Sequence, residues 1–370
     1  MNILYDNQIF ATQAYGGVSR LFYELIARLS EEDAVNIYLF HGFYINCFPL
    51  EDVKKRLAFY FGRKVPRPPY TAKFIRVFNT LLFDLFKPRK NMDIFHPTDF
   101  SPVVRRWKKS PLVLTVCDMI PELYPHFFKD IKTRLKNKRE SIRRADRIIA
   151  ISQSTKTDLL KFHDVDEKKI QVIYPGVSPP LRFQKENELP FGEKPYILYV
   201  GTRKQGYKNF KNLLSAYGAN DRLRSLCSLV CFGGPPFTAD ELDLASRLGC
   251  KDSLIRVTGG DSLLARVYAG ARVFVYPSLY EGFGLPPLEA MTYRCPVAAA
   301  GTSSIPEVLG DAALYFDPTE PGAISSTMET LLFQGDTAEA LVIKGSRRVE
   351  KYTWSKMAEE TRQLYSELIK

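Results

Sequence analysis

Four charged side chains in the second half of the chain are spaced to hold a ligand that is both anionic and rich in hydroxyls. Glu281 and Glu289 stand with seven residues between them. A carboxylate accepts hydrogen bonds at two oxygens, so the pair suits the hydroxyls of a polyol. Between them run Gly282-Phe283-Gly284-Leu285 and then Pro286-Pro287-Leu288. Proline is favoured in a first helical turn, where its missing N–H would have had no partner. A helix start offers N–H groups and the positive end of a dipole, and so attracts an anion. Arg203 and Lys208 add two cations at another strand end. They could neutralise a diphosphate, Arg203 through its planar fork and Lys208 as a point charge. Each feature also has an ordinary reading. Glu289 suits a helical first turn whatever the function, glycine and proline punctuate turns, and cations in loops are commonly plain surface.

The first half holds fewer such residues. Gly16-Gly17 lies between a first strand, Ile3-Leu4-Tyr5, and a helix with Leu21, Phe22, Leu25, Ile26 and Leu29 at helical spacing. That arrangement brings backbone N–H groups up to a phosphate, although G-x-G-x-x-G is incomplete here. His96 and Asp118 follow short apolar strands, at the carboxyl ends where open α/β sheets place ligands. His96 reads equally well as a satisfied structural histidine.

The elements that must position these residues alternate strand and helix, twice over. The first series runs from Ile3 to Val177 and the second from Tyr196 onward, joined by a proline- and charge-rich linker from Ser178 to Lys194. The expected class is α/β, with two Rossmann-like domains facing each other across a cleft. The expected boundaries are 1–180 and 195–350, with a helix over 351–370 returning to the first domain. At 370 residues the chain exceeds one ordinary core, and 45% hydrophobic with 25% charged residues is a soluble globular composition. Cys47, Cys117, Cys227, Cys231, Cys250 and Cys295 lack C-x-x-C spacing and read as reduced core residues of a cytosolic protein. Met1-Asn2-Ile3-Leu4-Tyr5 already reads as a strand, so no signal peptide is expected, and no apolar run spans a bilayer.

The net charge of +11 is concentrated. From Glu51 to Lys90, eleven basic residues stand against three acidic ones, interleaved with Phe59, Tyr60, Phe61, Tyr70, Phe74, Phe78, Phe83 and Phe86. This mixture fits an interfacial helix on anionic lipid ahead of a solvated surface, and nucleic acid least of the three.

Taken together, Glu281…Glu289, Gly201-Thr202-Arg203 with Lys208-Asn209, Ser303-Ser304-Ile305-Pro306-Glu307-Val308 and the early Gly16-Gly17 resemble the retaining glycosyltransferases of family 4, which have the GT-B fold. The likeness covers nearly the whole chain and is strongest from Tyr196 to Pro318. It implies a GDP- or UDP-sugar donor, with Glu281 on the donor sugar and Glu289 on the ribose. Arg203 and Lys208 would stabilise the departing diphosphate, assisted by amides at Phe283, Gly284 and Leu285. Backbone from Val257 through Thr258 to Gly259 would hold the base, and Gly16 and Gly17 would approach phosphates and acceptor. No cofactor and no catalytic metal are implied. The stretch from Glu281 to Glu289 resembles bacterial mannosyltransferases of surface polysaccharide assembly that use GDP-mannose. An acceptor that is a saccharide or is lipid-linked, and peripheral attachment at the inner face of the cytoplasmic membrane, complete the expectation. One departure stands out: many members have His-Asp where this chain has Cys117-Asp118, which leaves Asp118 as the polar contributor there. A phosphorylase or nucleotide-sugar epimerase of the same fold, or a non-catalytic sugar-nucleotide binder, are the competing readings. A nicotinamide oxidoreductase is disfavoured because its glycine fingerprint is missing.

Overall fold

A computed structural model describes residues 1–66, 72–86, 90–100, 104, 107, 109–128, 130–181 and 189–369. Arg67, Tyr70, Lys87 and Arg89 of the basic segment, Lys129, and positions 182–188 of the linker lie outside the described residues. The chain forms two compact units, Met1–Gly176 with Thr353–Lys370, and Val177–Tyr352.

In the first unit, β1 (Asn2–Tyr5), β2 (Asn36–Tyr44), β3 (Phe59–Lys64) and β4 (Ile94–His96) make a parallel sheet in the order β3-β2-β1-β4. A second parallel ladder holds β5 (Val113–Val116), β6 (Arg147–Ala150) and β7 (Ile170–Val172), and a bridge from Phe95 to Leu112 links β4 to it. Short, nearly unbroken apolar runs such as Val113-Leu114-Thr115-Val116 suit strands covered on both faces. Leu4, Phe40, Phe95, Leu114 and Ile148 share one core with Phe83, Trp107 and Ile142 from the covering segments.

The basic segment departs from a single interfacial helix. It contains a turn of helix at Glu51–Lys54, the edge strand β3 and a helix at Ala72–Phe86. The run Phe59-Tyr60-Phe61 carries strong strand propensity, and here it pairs with β2.

His96 is entirely buried and has partners at both ring nitrogens, Nδ1 with the Tyr365 hydroxyl and Nε2 with Thr115 Oγ1 at 2.8 Å. Tyr365, on the helix Trp354–Ile369, also meets the Tyr5 hydroxyl at 2.8 Å. Burial pulls the His96 imidazole down to about 3, so it is neutral. His96 is therefore a structural histidine, and it does not replace the histidine absent at position 117.

In the second unit, β8 (Tyr196–Val200), β9 (Ser228–Phe232), β10 (Leu254–Val257), β11 (Val273–Tyr276), β12 (Val297–Ala300) and β13 (Leu314–Phe316) form one parallel sheet. The order β10-β9-β8-β11-β12-β13 is 3-2-1-4-5-6 counted within the unit, the doubly wound arrangement. The order reverses between β8 and β11, and a crevice opens at such a point beyond the strand ends. Among the described residues no helix is long and apolar enough to cross a membrane.

Candidate active site

Lys208 follows β8 and Glu281 follows β11, so the reversal point of the second sheet brings their loops side by side. Lys208 Nζ lies 2.7 Å from Glu281 Oε1, and both side chains are largely shielded from solvent. Lys208 Nζ also stands 5.4 Å from the Tyr207 ring centre and 5.8 Å from that of Tyr276. Burial first, and then the neighbouring Glu281 carboxylate, push the Tyr276 phenol well above its ordinary range. Tyr276 is thus a neutral hydrogen-bonding wall of the site.

Three loops are stitched together to hold this pair. After β8 the chain passes Gly201 at φ +138° and reaches Asn209 in the left-handed region at φ +56°. Asn209 Nδ2 donates to the Pro277 carbonyl at 3.0 Å and to the Pro318 carbonyl at 2.6 Å. Leu279 N–H donates to the Tyr207 carbonyl at 2.7 Å, which ties the β8 loop to the β11 loop a second time. From the loop after β12, Ser303 Oγ accepts the Glu281 N–H at 2.9 Å, and Ser304 Oγ donates to the Glu281 carbonyl at 2.9 Å. Ser303 itself sits at φ +51°. The Ser303-Ser304 pair therefore orients the backbone of Glu281 rather than meeting the ligand first.

The helix Leu285–Thr292 starts from Gly284 at φ +100°, a conformation that costs other residues a Cβ clash. Pro286 and Pro287 carry no N–H, so the amides of Phe283, Gly284 and Leu285 are donors at this turn. Glu289 lies one turn further on, half-buried, and accepts the Tyr268 hydroxyl at 3.1 Å.

Arg203 has a different setting from the open cation expected of it. Its side chain is 1% exposed; Nε donates to Glu241 Oε1 at 3.2 Å, and the terminal nitrogens donate to the Gly233 and Pro235 carbonyls. The guanidinium also lies 4.4 Å from the Phe237 ring centre. It braces the glycine turn after β9. Val257 ends β10 with its carbonyl taken by the Gly233 N–H at 2.8 Å, and Thr258 and Gly259 are exposed beyond it.

In the first unit, Gly16 precedes the helix Gly17–Leu29, and a Cβ there would come within 2.2 Å of Gln13 Oε1. Gln13 Oε1 in turn accepts the Ser19 N–H at 3.2 Å, so a side chain at position 16 would displace Gln13 from that bond. Gly17 is exposed. Asp118 is half-buried; Oδ1 accepts the Ile120 N–H at 3.0 Å, and its carbonyl accepts from Lys138 Nζ at 2.7 Å. Lys138 is wholly buried and pairs with Glu122 Oε2 at 2.8 Å. Burial, and then the Asp118 charge, push the Cys117 thiol up, which favours its protonated form.

The sequence pattern identified Lys208 and Glu281, and the structure brings them into contact. Asn209, Ser303, Ser304, Tyr268 and Tyr276 had no role assigned from sequence. Asn209 and the serines stand in the stretches that carried the resemblance, which was the available signal; Tyr276 reads from sequence only as the end of an apolar strand.

Residues 15–180 match the family described as Glycosyltransferase Family 4, and residues 182–348 match Glycosyl transferases group 1. O-antigen chain mannosyltransferase B of Escherichia coli is 29% identical, over 96% of this chain and 98% of that protein. Sucrose-phosphate synthase from Thermosynechococcus elongatus is similar in structure with a TM-score of 0.77 at 18% identity, covering 99% of this chain and 98% of that one. Anabaena Alr3699/HepE, solved in complex with UDP and glucose, gives 0.75 at 16% identity over 98% of this chain and 99% of that one. Family matches that cover both halves, and solved structures sharing the fold from end to end, make this chain a member of the glycosyltransferases of family 4, with the GT-B fold.

Proposed function

We propose that this glycosyltransferase moves a hexose, mannose from GDP-mannose, onto a saccharide or lipid-linked acceptor in the assembly of a cell-surface polysaccharide or lipopolysaccharide, with retention of anomeric configuration. The contact of Lys208 with Glu281 carries the reading. An ammonium and a carboxylate held 2.7 Å apart and largely shielded suit a ligand that serves both groups at once. A sugar joined to a diphosphate does so, with hydroxyls donating to Glu281 and phosphate oxygens accepting from Lys208. The mannosyl choice rests on the 29% identity to an O-antigen mannosyltransferase.

In the reaction, the bond from the anomeric carbon to the diphosphate oxygen breaks and its electron pair leaves with the phosphate. The acceptor oxygen bonds to the same face of that carbon, and the acceptor proton passes to the departing phosphate. Lys208 and the amides of Phe283, Gly284 and Leu285 stabilise the growing negative charge, so no metal is called upon. Arg203 joins them by exchanging its carbonyl partners for phosphate oxygens, since bonds between two charged groups are about twice as strong as neutral ones. Glu289 takes the ribose, with Tyr268 fixing its carboxylate, and the backbone from Val257 to Gly259 takes the base. On the acceptor side, Asp118 offers Oδ2, while the backbone at Gly16 and Gly17 approaches the phosphates and the acceptor. The chain works at the inner face of the cytoplasmic membrane, held there peripherally.

A thermal-shift panel of GDP- and UDP-sugars, followed by product analysis with the labelled donor that binds, tests this. The expected result is a rise in melting temperature with GDP-mannose and a product with the donor's anomeric configuration. Stabilisation by GDP-mannose without transfer to any acceptor would instead identify a sugar-nucleotide binder.

A further inference from the structure

Within ten residues of one helix, Ala72–Phe86, the side chains of Val77, Phe78, Leu81, Leu85 and Phe86 are all exposed, Leu85 by 73%. At 3.6 residues per turn, Val77, Leu81, Leu85 and Phe78 fall within an arc of about 100°. The opposite face is anchored. Phe83 is buried edge-on against Phe40 at 5.1 Å, and Asn79 Nδ2 donates to the Phe43 carbonyl at 2.9 Å. The helix is thus fixed by one side and presents a second apolar side outward. Isolated exposed apolar residues are ordinary, but a contiguous group marks an interaction surface.

The neighbouring charge identifies the partner. Phe86 stacks on Phe61 of β3 at 4.8 Å, which sets the helix beside the edge strand whose last residues, Arg63 and Lys64, are exposed. The segment from Glu51 to Lys90 has eleven basic residues against three acidic ones. An apolar helical face with basic residues alongside is the composition that lies in the headgroup layer of an anionic bilayer. A protein partner would call for shape and paired polar groups at the rim, whereas exposed apolar side chains beside the exposed Arg63 and Lys64 suit a fluid anionic surface. We propose that the outer face formed by Val77, Phe78, Leu81 and Leu85 inserts into the headgroup region of an anionic membrane, with Arg63 and Lys64 on the lipid charges. This rests on the peripheral attachment proposed above and specifies the surface responsible.

The test uses the full chain and sedimentation with vesicles of phosphatidylcholine alone or of phosphatidylcholine with phosphatidylglycerol. The parent should sediment with the anionic vesicles and not with the neutral ones. A variant with Val77→Ser, Leu81→Ser and Leu85→Ser should lose about tenfold or more in vesicle affinity, since three apolar side chains leave the layer. Its melting temperature should match the parent's because all three positions are exposed. An Arg63→Gln, Lys64→Gln variant should keep residual binding and lose its preference for anionic lipid. Anionic-vesicle binding by the serine variant equal to the parent's would overturn the assignment of this face while leaving membrane attachment standing. A parent that binds neither vesicle would overturn both. Concentration-dependent dimerisation of the parent, lost in the serine variant with vesicle binding unchanged, would assign the face to a second copy instead. None of these readouts depends on transfer, so a failed assay of activity leaves the face in place.

Discussion

Asn209 donates its side-chain amide to the Pro277 carbonyl across 3.0 Å, and so fixes the residue after Lys208 to the strand end that leads into Glu281. The same nitrogen also reaches the Pro318 carbonyl, and the residue holds φ at +56°. Asn209→Gly keeps the backbone angle and loses both bonds, at about 1–3 kcal/mol. Asn209→Ala loses the bonds and adds a left-handed alanine at roughly 1–2 kcal/mol more. Denaturant midpoints should therefore rank the parent above glycine and glycine above alanine. Equal midpoints for the two variants would mean that the backbone angle is not strained.

Lys208 and Glu281 should separate folding from chemistry. Lys208→Met alone leaves a shielded carboxylate without its ammonium, and Glu281→Gln alone leaves the ammonium without its carboxylate. Thermal melts of the two singles should fall, and the double variant should recover part of the loss. Turnover should behave otherwise, because loss of one charge-stabilising donor typically costs about 2.7–4 kcal/mol, roughly 10²–10³ in kcat. The double variant should be no more active than Lys208→Met. Parent-like turnover in Lys208→Met would remove Lys208 from the leaving-group role.

Arg203→Lys is expected to behave as a severe change. An ammonium cannot reproduce the fork that serves Glu241, Gly233 and Pro235 together. If Arg203 also reaches phosphate, Arg203→Lys should weaken nucleotide binding in calorimetry as well as lower the melting temperature. A lower melting temperature with unchanged nucleotide affinity would confine Arg203 to bracing the glycine turn.

Acidification should destabilise the first unit between about pH 6.5 and 3. His96 is depressed from 6.5 to about 3 by burial, and His41 is also held well below its ordinary value by burial and then by Lys54. The unfolded chain therefore binds more protons at these sites than the folded one, and their contribution is lost progressively as pH falls from the unfolded value toward the folded one. Asp6 acts in the other direction. Burial raises it from 3.8 to about 6 despite hydrogen bonds from Thr98, so folding favours its protonated form below about 6 and loses that contribution above. Asp6→Asn removes the opposing group, and the melting temperature should then drop more steeply with acid between pH 6 and 4. A shallower acid slope in that variant would contradict the assignment of Asp6.

How much of this was legible beforehand differs between the two halves of the chain. The doubly wound fold could be read because strands such as Val273-Phe274-Val275-Tyr276 are short, apolar and bounded by proline or glycine. Lys208 and Glu281 could be named because they stand in an ordered set of motifs that resembles family 4, although each alone reads as ordinary surface. The engagement of Arg203 with Glu241 could not be read, since it joins the β8 loop to a helix thirty-eight positions later through two side chains of ordinary surface type. β3 was hidden for a related reason: its three consecutive aromatics sit inside a basic stretch whose charge suggested a helix on lipid. Nor does the setting of His96 follow from sequence, because its partners Thr115 and Tyr365 belong to distant elements.

The bond between Tyr5 and Tyr365 spans 360 positions. The first unit is thus built from two separated stretches of chain, whereas Val177–Tyr352 is continuous. During synthesis, the second unit can close as soon as its own residues have left the ribosome. The first waits with its Tyr5 and His96 hydroxyl partner missing until the helix Trp354–Ile369 has been made. Its final folding step therefore closes a loop that contains another folded body, and is governed by tethered diffusion of one helix rather than by local nucleation. Nascent chains halted just before that helix should expose the Tyr5 and His96 side of the sheet to chaperones, and chains halted after it should not.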